Sequence, residues 1–381
     1  MVPDSAPLGL GLVGAGGFGV FCLAAFAEMP EIRVVAVADT DLGRAQAAAP
    51  EGARVYGDYR AMLDDPAVQV VAINTPPHLH AGMVQQAAAA GKHVFVEKPL
   101  ATSLEQARTA VQAARAAGVQ ITVDYVLRFH PLHRLAAEIV HSGALGNLQH
   151  WSLENLATDE GLPADHWFWD QEQSGGIHVE HGVHFFDLCN HLVGAAPDAV
   201  SGWAQRRPDG RVDRVSATVH YGDDVLATFY HSFTQIREIE RTTIQINCSR
   251  GSITLLGWIP TDLILSGMVD KAGLAQLARL LGKRLVVEER FQGAARVFRH
   301  GGAVEQIAAW VHGHVEAPNR QGEYKRAIQA GMRSLTGAIR GDDAPLVSAE
   351  DGLLSLAVAL AATESNARQS VIPLARVMEK K

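Results

Sequence analysis

The 381 residues suffice for two packed domains, since a single hydrophobic core rarely grows beyond about 250–300 residues. Hydrophobic residues make up 48% and charged residues 19%, which excludes a disordered chain, and the net charge of −8 argues against a basic surface for nucleic acid. The three cysteines, Cys22, Cys189 and Cys248, are widely spaced and odd in number, which excludes a disulfide framework and a CxxC metal site and favours a reducing cytoplasm.

Short β-rich runs alternate with Ala-rich helical stretches in the first third of the chain. The predicted strands are Leu8–Val13, Arg33–Ala38, Val68–Ile73, His93–Val96 and Gln120–Val123. The predicted helices between them include Val84–Ala90 and Ser103–Ala117, where Ser103 fits the N-cap position. Alternation of this kind is typical of a parallel sheet covered by helices on both faces.

The first of these runs opens an apolar segment, residues 8–29, that resembles the core of a signal peptide. No Lys or Arg precedes it and glycines interrupt it early, so a strand, a glycine turn and a helix explain it better. No other stretch has about 18 uninterrupted apolar residues, and we therefore expect no membrane span.

After Gly146 the pattern changes to alternating side chains, which is typical of half-exposed antiparallel strands. A hairpin is predicted from two such runs, Val215–Tyr221 and Val225–Phe233, and a Gly-Asp-Asp turn joins them. Further predicted elements are the strands Thr242–Cys248 and Ser252–Leu256 and the helices Tyr324–Arg340 and Ala349–Asn366. We interpret the region Gly257–Gln321 as helical or irregular decoration.

A glycine-rich turn follows the first predicted strand and opens a helix; it contains Gly14, Gly16, Gly17, Phe18 and Gly19. The first glycine of a GxGxxG turn allows a tight bend, the second lets the backbone approach a pyrophosphate, and the third lets the helix pack on the strand. The N-terminus of the helix adds N–H donors and a positive field. This context favours a dinucleotide site over a turn without a ligand.

Asp39 ends the next strand, twenty residues past Gly19. A carboxylate at this position accepts hydrogen bonds from a ribose diol and repels a 2′-phosphate. Asp41 adds negative charge, so NAD is favoured over NADP, although Arg44 keeps NADP open as an alternative.

Polar residues follow two more strands of the predicted parallel sheet. Asn74, Thr75 and Pro76 follow one strand, and Glu97 and Lys98 follow the next. Ligands bind at the carboxyl edge of such a sheet. One interpretation of Glu97 and Lys98 is an exposed ion pair, which would stabilise the fold by only ~0–1 kcal/mol. We favour a functional interpretation, in which Lys98 lies beside a nicotinamide and hydrogen-bonds the oxygen that is being oxidised.

Further motifs continue along the chain. They are Thr75-Pro76-Pro77 with His80, Gly91-Lys92-His93, Glu97-Lys98-Pro99, Arg128-Phe129, Gly143-Ala144-Leu145-Gly146, Gly175-Gly176 with Gly182–Asp187, and Ala349-Glu350-Asp351-Gly352. Together with the glycine turn, they make the chain resemble the Gfo/Idh/MocA oxidoreductases, a family that includes glucose–fructose oxidoreductase and inositol dehydrogenase. The resemblance covers most of the chain except roughly residues 257–321.

The resemblance implies an α/β fold in two domains. Residues 1–125 would form a Rossmann domain, with Thr40, Asn74, Thr75, Pro76, His80 and Glu97 adding to the cofactor site. Residues 126–381 would form an α+β domain for substrate binding and oligomerisation, with a large, mostly antiparallel open sheet and last helices that can pack back on the Rossmann domain. It also implies a homodimer or homotetramer and a polyhydroxylated small-molecule substrate, with no nucleic acid or membrane partner.

The resemblance further implies a catalytic trio of Lys98, Glu180 and His184. This chain departs from the family's commoner pattern, which has Asp at the position of Glu180, so the longer side chain either contacts substrate at a shifted position or only orients His184. A histidine near its ordinary pKa of ~6.5 can take a hydroxyl proton at neutral pH. Lys98 would hold the reacting hydroxyl while hydride passes from its carbon to the nicotinamide.

Several side chains are further candidates for substrate binding. Trp167 and Trp169 either form an aromatic wall against a sugar or pack a loop onto the sheet. Tyr125 and Arg128 either hydrogen-bond the substrate or pack and pair at the domain junction. His181 lies between Glu180 and His184 in the trio segment, and we assign it to the substrate site as well.

Alternatives remain at this point. The segment with His178, Glu180, His181, His184, Asp187 and His191 is rich in metal ligands, but it lacks an HExxH motif, so we predict no metal. An enzyme that retains NAD and cleaves a glycoside by transient oxidation, a ketone or imine reductase, and a nucleotide-sensing regulator would use the same fold. The presence of both Lys98 and His184 argues against the regulator.

Overall fold

The computed structural model describes residues 6–291, 296–300 and 303–379. Its N-terminal part contains six strands, β1 (Leu8–Val13), β2 (Ile32–Ala38), β3 (Arg54–Tyr56), β4 (Val70–Ile73), β5 (His93–Val96) and β6 (Ile121–Val123). They form one sheet in the order β3-β2-β1-β4-β5-β6, and every neighbouring pair is parallel. The predicted parallel sheet is therefore confirmed.

Burial explains which strands could be recognised in the sequence. Every residue of β1 and β4 is buried, as expected for strands covered by helices on both faces, and both read as continuous apolar runs. Strand β3 was not predicted, because its three residues are half-buried or exposed and form no apolar run.

Five helices connect these strands: α1 (Gly17–Phe26), α2 (Leu42–Ala48), α3 (Tyr59–Leu63), α4 (Pro77–Ala89) and α5 (Leu104–Ala117). The side chain of Ser103 caps α5 by accepting a hydrogen bond from the backbone N–H of Gln106 at 3.3 Å, as predicted. Helix α4 begins seven residues before its predicted start at Val84. A proline at the first helical position, Pro77, fixes this start.

The second part of the chain is built on a sheet of ten strands. They are β7 (Leu148–Thr158), β8 (Ala199–Arg206), β9 (Val212–Tyr221), β10 (Val225–Gln235), β11 (Arg241–Cys248), β12 (Gly251–Leu256), β13 (Asp262–Val269), β14 (Leu285–Arg290), β17 (Ala309–Glu316) and β18 (Ile372–Pro373). Their order is β14-β17-β13-β12-β11-β7-β10-β9-β8-β18, and β15 (Arg296–His300) and β16 (Ala303–Ile307) form a separate hairpin. Among the described strands of this sheet, β7 and β10 alone pair in parallel, so the predicted mostly antiparallel sheet is confirmed.

Helices and short helical turns complete this part. The helices are α6 (Pro131–His141), α7 (Gln171–Ser174), α8 (Val183–Val193), α9 (Lys271–Leu281), α10 (Arg320–Arg340), α11 (Ala349–Arg368) and α12 (Leu374–Glu379). The turns are Val126–Phe129, Trp167–Trp169, the π-helical turn His178–Gly182, Arg237–Ile239 and Gly282–Arg284. No helix in the described ranges is both long and apolar enough to cross a membrane.

The interpretation of Gly257–Gln321 as decoration is wrong. This region supplies β13, β14 and β17 to the ten-stranded sheet, although residues 292–295 and 301–302 lie outside the described part. In β13 the inward-facing Leu263 and Leu265 are fully buried, but the outward-facing Ile264 and Met268 are also apolar. The polar–apolar alternation that marks a half-exposed strand is therefore missing from its sequence.

The last helices return to the N-terminal sheet domain. In α10, Gln329 donates a hydrogen bond to the backbone carbonyl of Ala25 at 2.9 Å. Helix α11 contacts α5, and the hydroxyl of its Ser355 lies 2.7 Å from the hydroxyl of Tyr125. These contacts fix the second sheet relative to the carboxyl edge of the first. The division at residue 125 itself stays a prediction.

A buried ion pair ties the two parts together. Arg128 donates two hydrogen bonds to the carboxylate of Asp187, each 2.6 Å long, and lies 3.0 Å from Asp351 at the start of α11. The side chains of Arg128 and Asp187 are only 3% and 1% exposed, so each charge depends on the other for compensation.

We predict that Arg128→Met lowers the free energy of unfolding by about 3–5 kcal/mol, because it leaves the buried Asp187 charge without a partner. Urea denaturation followed by circular dichroism measures this change. Arg241→Met is the matched control, since the Arg241–Glu154 pair is 63% and 47% exposed and should contribute about 0–1 kcal/mol. Equal losses in the two variants would contradict the assignment.

Candidate active site

A cavity of about 1200 Å³ lies between the carboxyl edge of the parallel sheet and the second domain. It exceeds the ~300–1,000 Å³ of an ordinary small-molecule site and can accommodate a large ligand together with a second, smaller one. Sixteen of the sequence-predicted site residues line it: Gly14, Gly16, Gly17, Phe18, Gly19, Asp39, Thr40, Asn74, Thr75, Pro76, Glu97, Lys98, Trp167, Glu180, His181 and His184.

The glycine turn needs its glycines for two different reasons. A Cβ on Gly14, whose φ is +92°, would lie 2.5 Å from the backbone oxygen of Asn74, and one on Gly19 would lie 1.9 Å from the backbone oxygen of Gly14. Gly16 and Gly17 instead have nothing within 4 Å of a Cβ position. The backbone at the start of α1 is therefore open to the cavity, as binding of a pyrophosphate requires.

Asp39 lies at the end of β2 beside this turn. One of its carboxylate oxygens accepts a hydrogen bond from the backbone N–H of Ala15 at 2.7 Å, and the other accepts from the N–H of Asp41 at 2.8 Å. Arg44 lines the cavity as well and forms an exposed ion pair with Asp41 at 3.4 Å. The carboxylate of Asp39 favours a ribose diol over a 2′-phosphate next to it.

His80 does not line the cavity, contrary to the expected cofactor contact. Its side chain is fully buried, and its two ring nitrogens lie 2.6 Å from the carbonyl oxygen of Pro99 and 2.7 Å from that of Thr75. Burial lowers the pKa of this histidine. His80 therefore connects the loop after β4 to the loop after β5 and holds both at the cavity edge.

Lys98 and Glu180 form an ion pair across the cavity. The Lys98 ammonium donates to the Glu180 carboxylate at 2.6 Å and to the Glu180 backbone carbonyl at 2.7 Å, and both side chains are 12% exposed. Burial opposes ionisation of Glu180, but the charge and the hydrogen bond of Lys98, together with the nearby His181 and His166, outweigh burial and lower the pKa of Glu180. The pair thus places a cation and an ionised acid within the same cavity.

A π-helical turn presents the segment that carries the acid and the histidines. The turn spans His178–Gly182 and runs directly into α8, so that Glu180, His181 and His184 all line the cavity. Single π-helical turns are frequent at functional sites, because the extra residue reorients the side chains around it. Glu180 and His184, four residues apart, thus both lie at the cavity wall.

The protonation of His184 differs from the expectation. Its side chain is 5% exposed, and burial, followed by the charge of Lys98, lowers its pKa well below 6.5. The ring is therefore neutral at physiological pH. A neutral imidazole can accept a proton, but this one is a weaker base than an ordinary histidine.

Trp258 is a cavity residue that the sequence analysis missed. Its ring stacks on His181 with a centroid distance of 5.2 Å and contacts His184 edge-on at 4.8 Å. It lies between β12 and β13, in the region interpreted as decoration, and no local pattern in the sequence marks it. Asn155 holds the other side of His181, since its amide lies 3.2 Å from Nε2 of the ring.

Three of the predicted substrate residues lie outside the cavity lining. Tyr125 and Arg128 are 1% and 5% exposed and are engaged with Ser355 and Asp187 at the junction, which was the alternative interpretation. Trp169 donates to the backbone carbonyl of Leu162 at 3.0 Å and packs against Phe233. The geometry does not support substrate contacts from these three residues.

Comparison with known proteins agrees with this geometry. Residues 8–125 match the GFO_IDH_MocA family, described as "Oxidoreductase family, NAD-binding Rossmann fold", and residues 133–254 match the "GFO/IDH/MocA C-terminal domain". The D-xylose 1-dehydrogenase (NADP(+)) 2 of Haloferax volcanii is 31% identical over 61% of this chain and 73% of its own length. The chain belongs to the Gfo/Idh/MocA oxidoreductase family.

Other proteins are also similar to this chain in sequence or in structure. The scyllo-inositol 2-dehydrogenase (NAD(+)) of Bacillus subtilis is 32% identical over 54% of this chain, and the match spans only 58% of that enzyme's length. The structure of levoglucosan dehydrogenase in complex with NADH and levoglucosan superposes with a TM-score of 0.77 at 22% identity and covers 97% of this chain and 99% of that one. The last comparison shows a shared fold.

The Gfo/Idh/MocA assignment identifies the N-terminal domain as an NAD-binding Rossmann domain. The residues of the cavity fit this cofactor, since Asp39 suits an adenosine ribose and the open backbone at Gly16 and Gly17 suits a pyrophosphate. In the described residues, no three metal-ligating atoms of the histidine-rich segment 178–191 lie close enough to share an ion.

Asp124 and Tyr324 are further cavity residues that were not predicted. Asp124 follows β6 directly, as Glu97 follows β5, so the rule that polar residues at the carboxyl edge bind ligands would have found it. Tyr324 belongs to α10 and follows Asp124 by 200 residues in the sequence. Its ring lies 5.2 Å from that of Phe21 in α1. Nothing local in the sequence indicates this long-range contact.

We predict that Asp39→Asn weakens NAD⁺ and NADH binding to the same extent, by about tenfold or more, because charge-assisted hydrogen bonds to the ribose are lost. The preference for NAD over NADP should fall as well, since less charge repels a 2′-phosphate. Fluorescence titration with NADH and calorimetry with the oxidised forms measure these affinities.

Glu51→Gln is the control, because it removes an exposed acidic charge outside the cavity lining and should leave cofactor affinity unchanged. An unchanged NAD affinity in Asp39→Asn would show that Asp39 only supports the loop through Ala15.

Proposed function

We propose that this protein is an NAD-dependent dehydrogenase that oxidises a hydroxyl of a sugar, an inositol or a related polyol or glycoside. One observation carries the proposal. A lysine ammonium, an ionised glutamate and a neutral histidine, Lys98, Glu180 and His184, line the same cavity as the dinucleotide cleft. Bound NAD⁺ would supply the hydride acceptor for this site.

Lys98 has a donor left for the substrate. Its ammonium carries three N–H groups, and two of them are directed at the carboxylate and the backbone carbonyl of Glu180. The third is available to hydrogen-bond the oxygen that is being oxidised, and its positive charge stabilises negative charge that develops there. Glu180 holds Lys98 in position. Its carboxylate can contact the substrate only with the part that is not bonded to Lys98.

His184 is the group that takes the hydroxyl proton. Its ring is neutral at physiological pH and lines the cavity, while Nδ1 is buried without a hydrogen-bond partner among the described residues. Because the depressed pKa makes His184 a weak base, proton transfer depends on Lys98 stabilising, at the same time, the negative charge that develops on the hydroxyl oxygen. The two groups therefore act together.

The walls of the cavity favour a ring-shaped, hydroxylated substrate. Trp258 and Trp167 provide flat apolar surface, and His181 and Glu180 provide polar groups beside it. The relatives act, by their names, on scyllo-inositol, xylose and levoglucosan. A compound with one apolar face and several hydroxyls matches both observations.

We further propose a homodimer or homotetramer that uses the outer face of the ten-stranded sheet. Large apolar side chains are exposed on its strands, namely Trp203, Ile264, Val286 and Trp310. A face of this kind is typical of a contact surface between protein chains. A cytoplasmic location stays a prediction of the sequence.

The test is NADH formation, followed by absorbance, with a panel of sugars, inositols and glycosides. We predict activity with NAD⁺ that falls by about 10²–10⁴-fold in Lys98→Met and in His184→Asn, since each variant removes a group engaged with the transferred proton. NADH binding by both variants and their melting temperatures serve as controls for folding and for the cofactor site.

Absence of activity with every polyol, from protein that still binds NADH, would contradict the proposal. It would favour the enzyme that retains NAD during glycoside cleavage, or the ketone or imine reductase. Full activity in both variants would show that other groups handle the proton.

A further inference from the structure

A segment of the second domain reaches the first domain at the edge of the cavity. It spans residues 159–174, follows β7, and contains the turn Trp167–Trp169 and the short helix α7. Helix α7 contacts α4 of the first domain, and His166 and Trp167 line the cavity. We call residues 159–174 the bridging segment.

The bridging segment packs on a small hydrophobic cluster of its own. Four buried side chains form this cluster, apart from the main core of the described residues: Phe168, Ile177, Val215 and Phe233. The ring of Trp169 packs edge-on against that of Phe168 at a centroid distance of 4.9 Å. Separate clusters of this kind are common under long loops. The position of the segment therefore depends on contacts that the main core does not supply.

Arg207 joins the bridging segment to the large sheet. Its guanidinium pairs with Asp159 at 2.5 Å and lies over the ring of Trp169, 5.2 Å from the centroid. The same group donates hydrogen bonds to the carboxylate of Asp213 on β9 at 2.8 Å and to the backbone carbonyl of Phe233 on β10 at 2.5 Å. Because the Arg207 side chain is only 20% exposed, these charge-assisted contacts are partly shielded from water.

The two residues that line the cavity lie between the contacts of Arg207 with the segment. Nδ1 of His166 accepts a hydrogen bond from the backbone N–H of Phe168 at 3.2 Å, so the neutral ring carries its proton on Nε2. The His166 side chain is half-buried, which leaves Nε2 as a donor for a ligand. The ring of Trp167 lies 5.2 Å from that of His166 and adds a flat apolar surface.

The bridging segment leads directly into the π-helical turn that carries Glu180. The backbone carbonyl of Gly176, two residues past the segment, accepts a hydrogen bond from the N–H of Glu180 at 2.8 Å. His166 is also close enough to Glu180 to help lower the pKa of its carboxyl group. The cavity-lining residues of the segment therefore lie at the end of the cavity where Lys98 and Glu180 form their ion pair.

We propose that His166 and Trp167 bind the part of the substrate that is not oxidised, and that Arg207 is the positioning residue that holds them there. His166 donates from Nε2 to a hydroxyl oxygen of the substrate, and Trp167 covers an apolar face of its ring. The substrate thus carries an oxygen acceptor besides the reacting hydroxyl. This inference rests on the proposed oxidation of a polyol and adds the residues that select it.

The test is steady-state kinetics with the polyol of the panel that the wild-type protein oxidises fastest. In Arg207→Met and in His166→Phe we predict that KM for the polyol rises about tenfold, because substrate contacts are lost. The kcat and the KM for NAD⁺ should change less than about threefold, since the cofactor cleft and the proton-transfer groups are retained. The double variant should resemble His166→Phe, because Arg207 acts through the segment that carries His166.

Arg211→Met is the matched control. The guanidinium of Arg211 lies over the same ring of Trp169, at 5.3 Å, but pairs with Asp209 in its own turn rather than with Asp159. Its removal should leave KM for the polyol within about twofold of the wild-type value.

Folding of the variants is checked by melting temperature and by NADH binding. Arg207→Met leaves no unpaired buried charge, because the carboxylate of Asp213 keeps its contact with Arg214 at 3.1 Å. If Arg207→Met still fails to fold, the comparison of His166→Phe with the wild-type protein decides the inference.

An unchanged KM for the polyol in His166→Phe, or a kcat that falls as far as KM rises, would overturn this inference alone. Equal KM values in Arg207→Met and Arg211→Met would overturn the positioning role of Arg207. A wild-type protein that binds NADH but oxidises no polyol would overturn the proposed function and this substrate assignment with it.

Discussion

The ion pair between Lys98 and Glu180 is the contact on which the site depends. Lys98 stands at the carboxyl end of a parallel strand, and Glu180 stands on a π-helical turn of the second domain, so the pair forms only if the two domains are held in one arrangement. The buried contacts of Arg128 with Asp187 and Asp351 supply that arrangement nearby, at the start of α8 and α11. The contacts that hold the two domains together and the contacts that form the site thus lie close to each other at the domain junction.

The charges around Lys98 explain the protonation states of the site. Lys98 lies beside ionised Glu180, whereas His184 remains neutral because burial and the charge of Lys98 oppose its protonation. These are the protonation states that the proposed oxidation of an alcohol would use. Because Lys98, Glu180 and His184 are largely buried, the electrostatic interactions between them are less screened than at the surface.

Most of the parallel sheet and the cofactor turn could be predicted from sequence, because both have local signatures. Continuous apolar runs mark strands buried on two faces, and Gly14 and Gly19 have steric requirements that only glycine meets. The substrate side was less predictable, since it is assembled from distant segments. Trp258 lies in a region without alternating polarity, and His80 turned out to connect two loops rather than to face the cofactor.

The most direct test of the account is a single turnover of the wild-type protein with NAD⁺ and a substrate that carries deuterium on the carbon of the reacting hydroxyl. Direct hydride transfer predicts deuterium on the nicotinamide ring of the isolated NADH and a slower rise of NADH absorbance than with unlabelled substrate. Conversion of the substrate with no deuterium in the cofactor would contradict hydride transfer at this site.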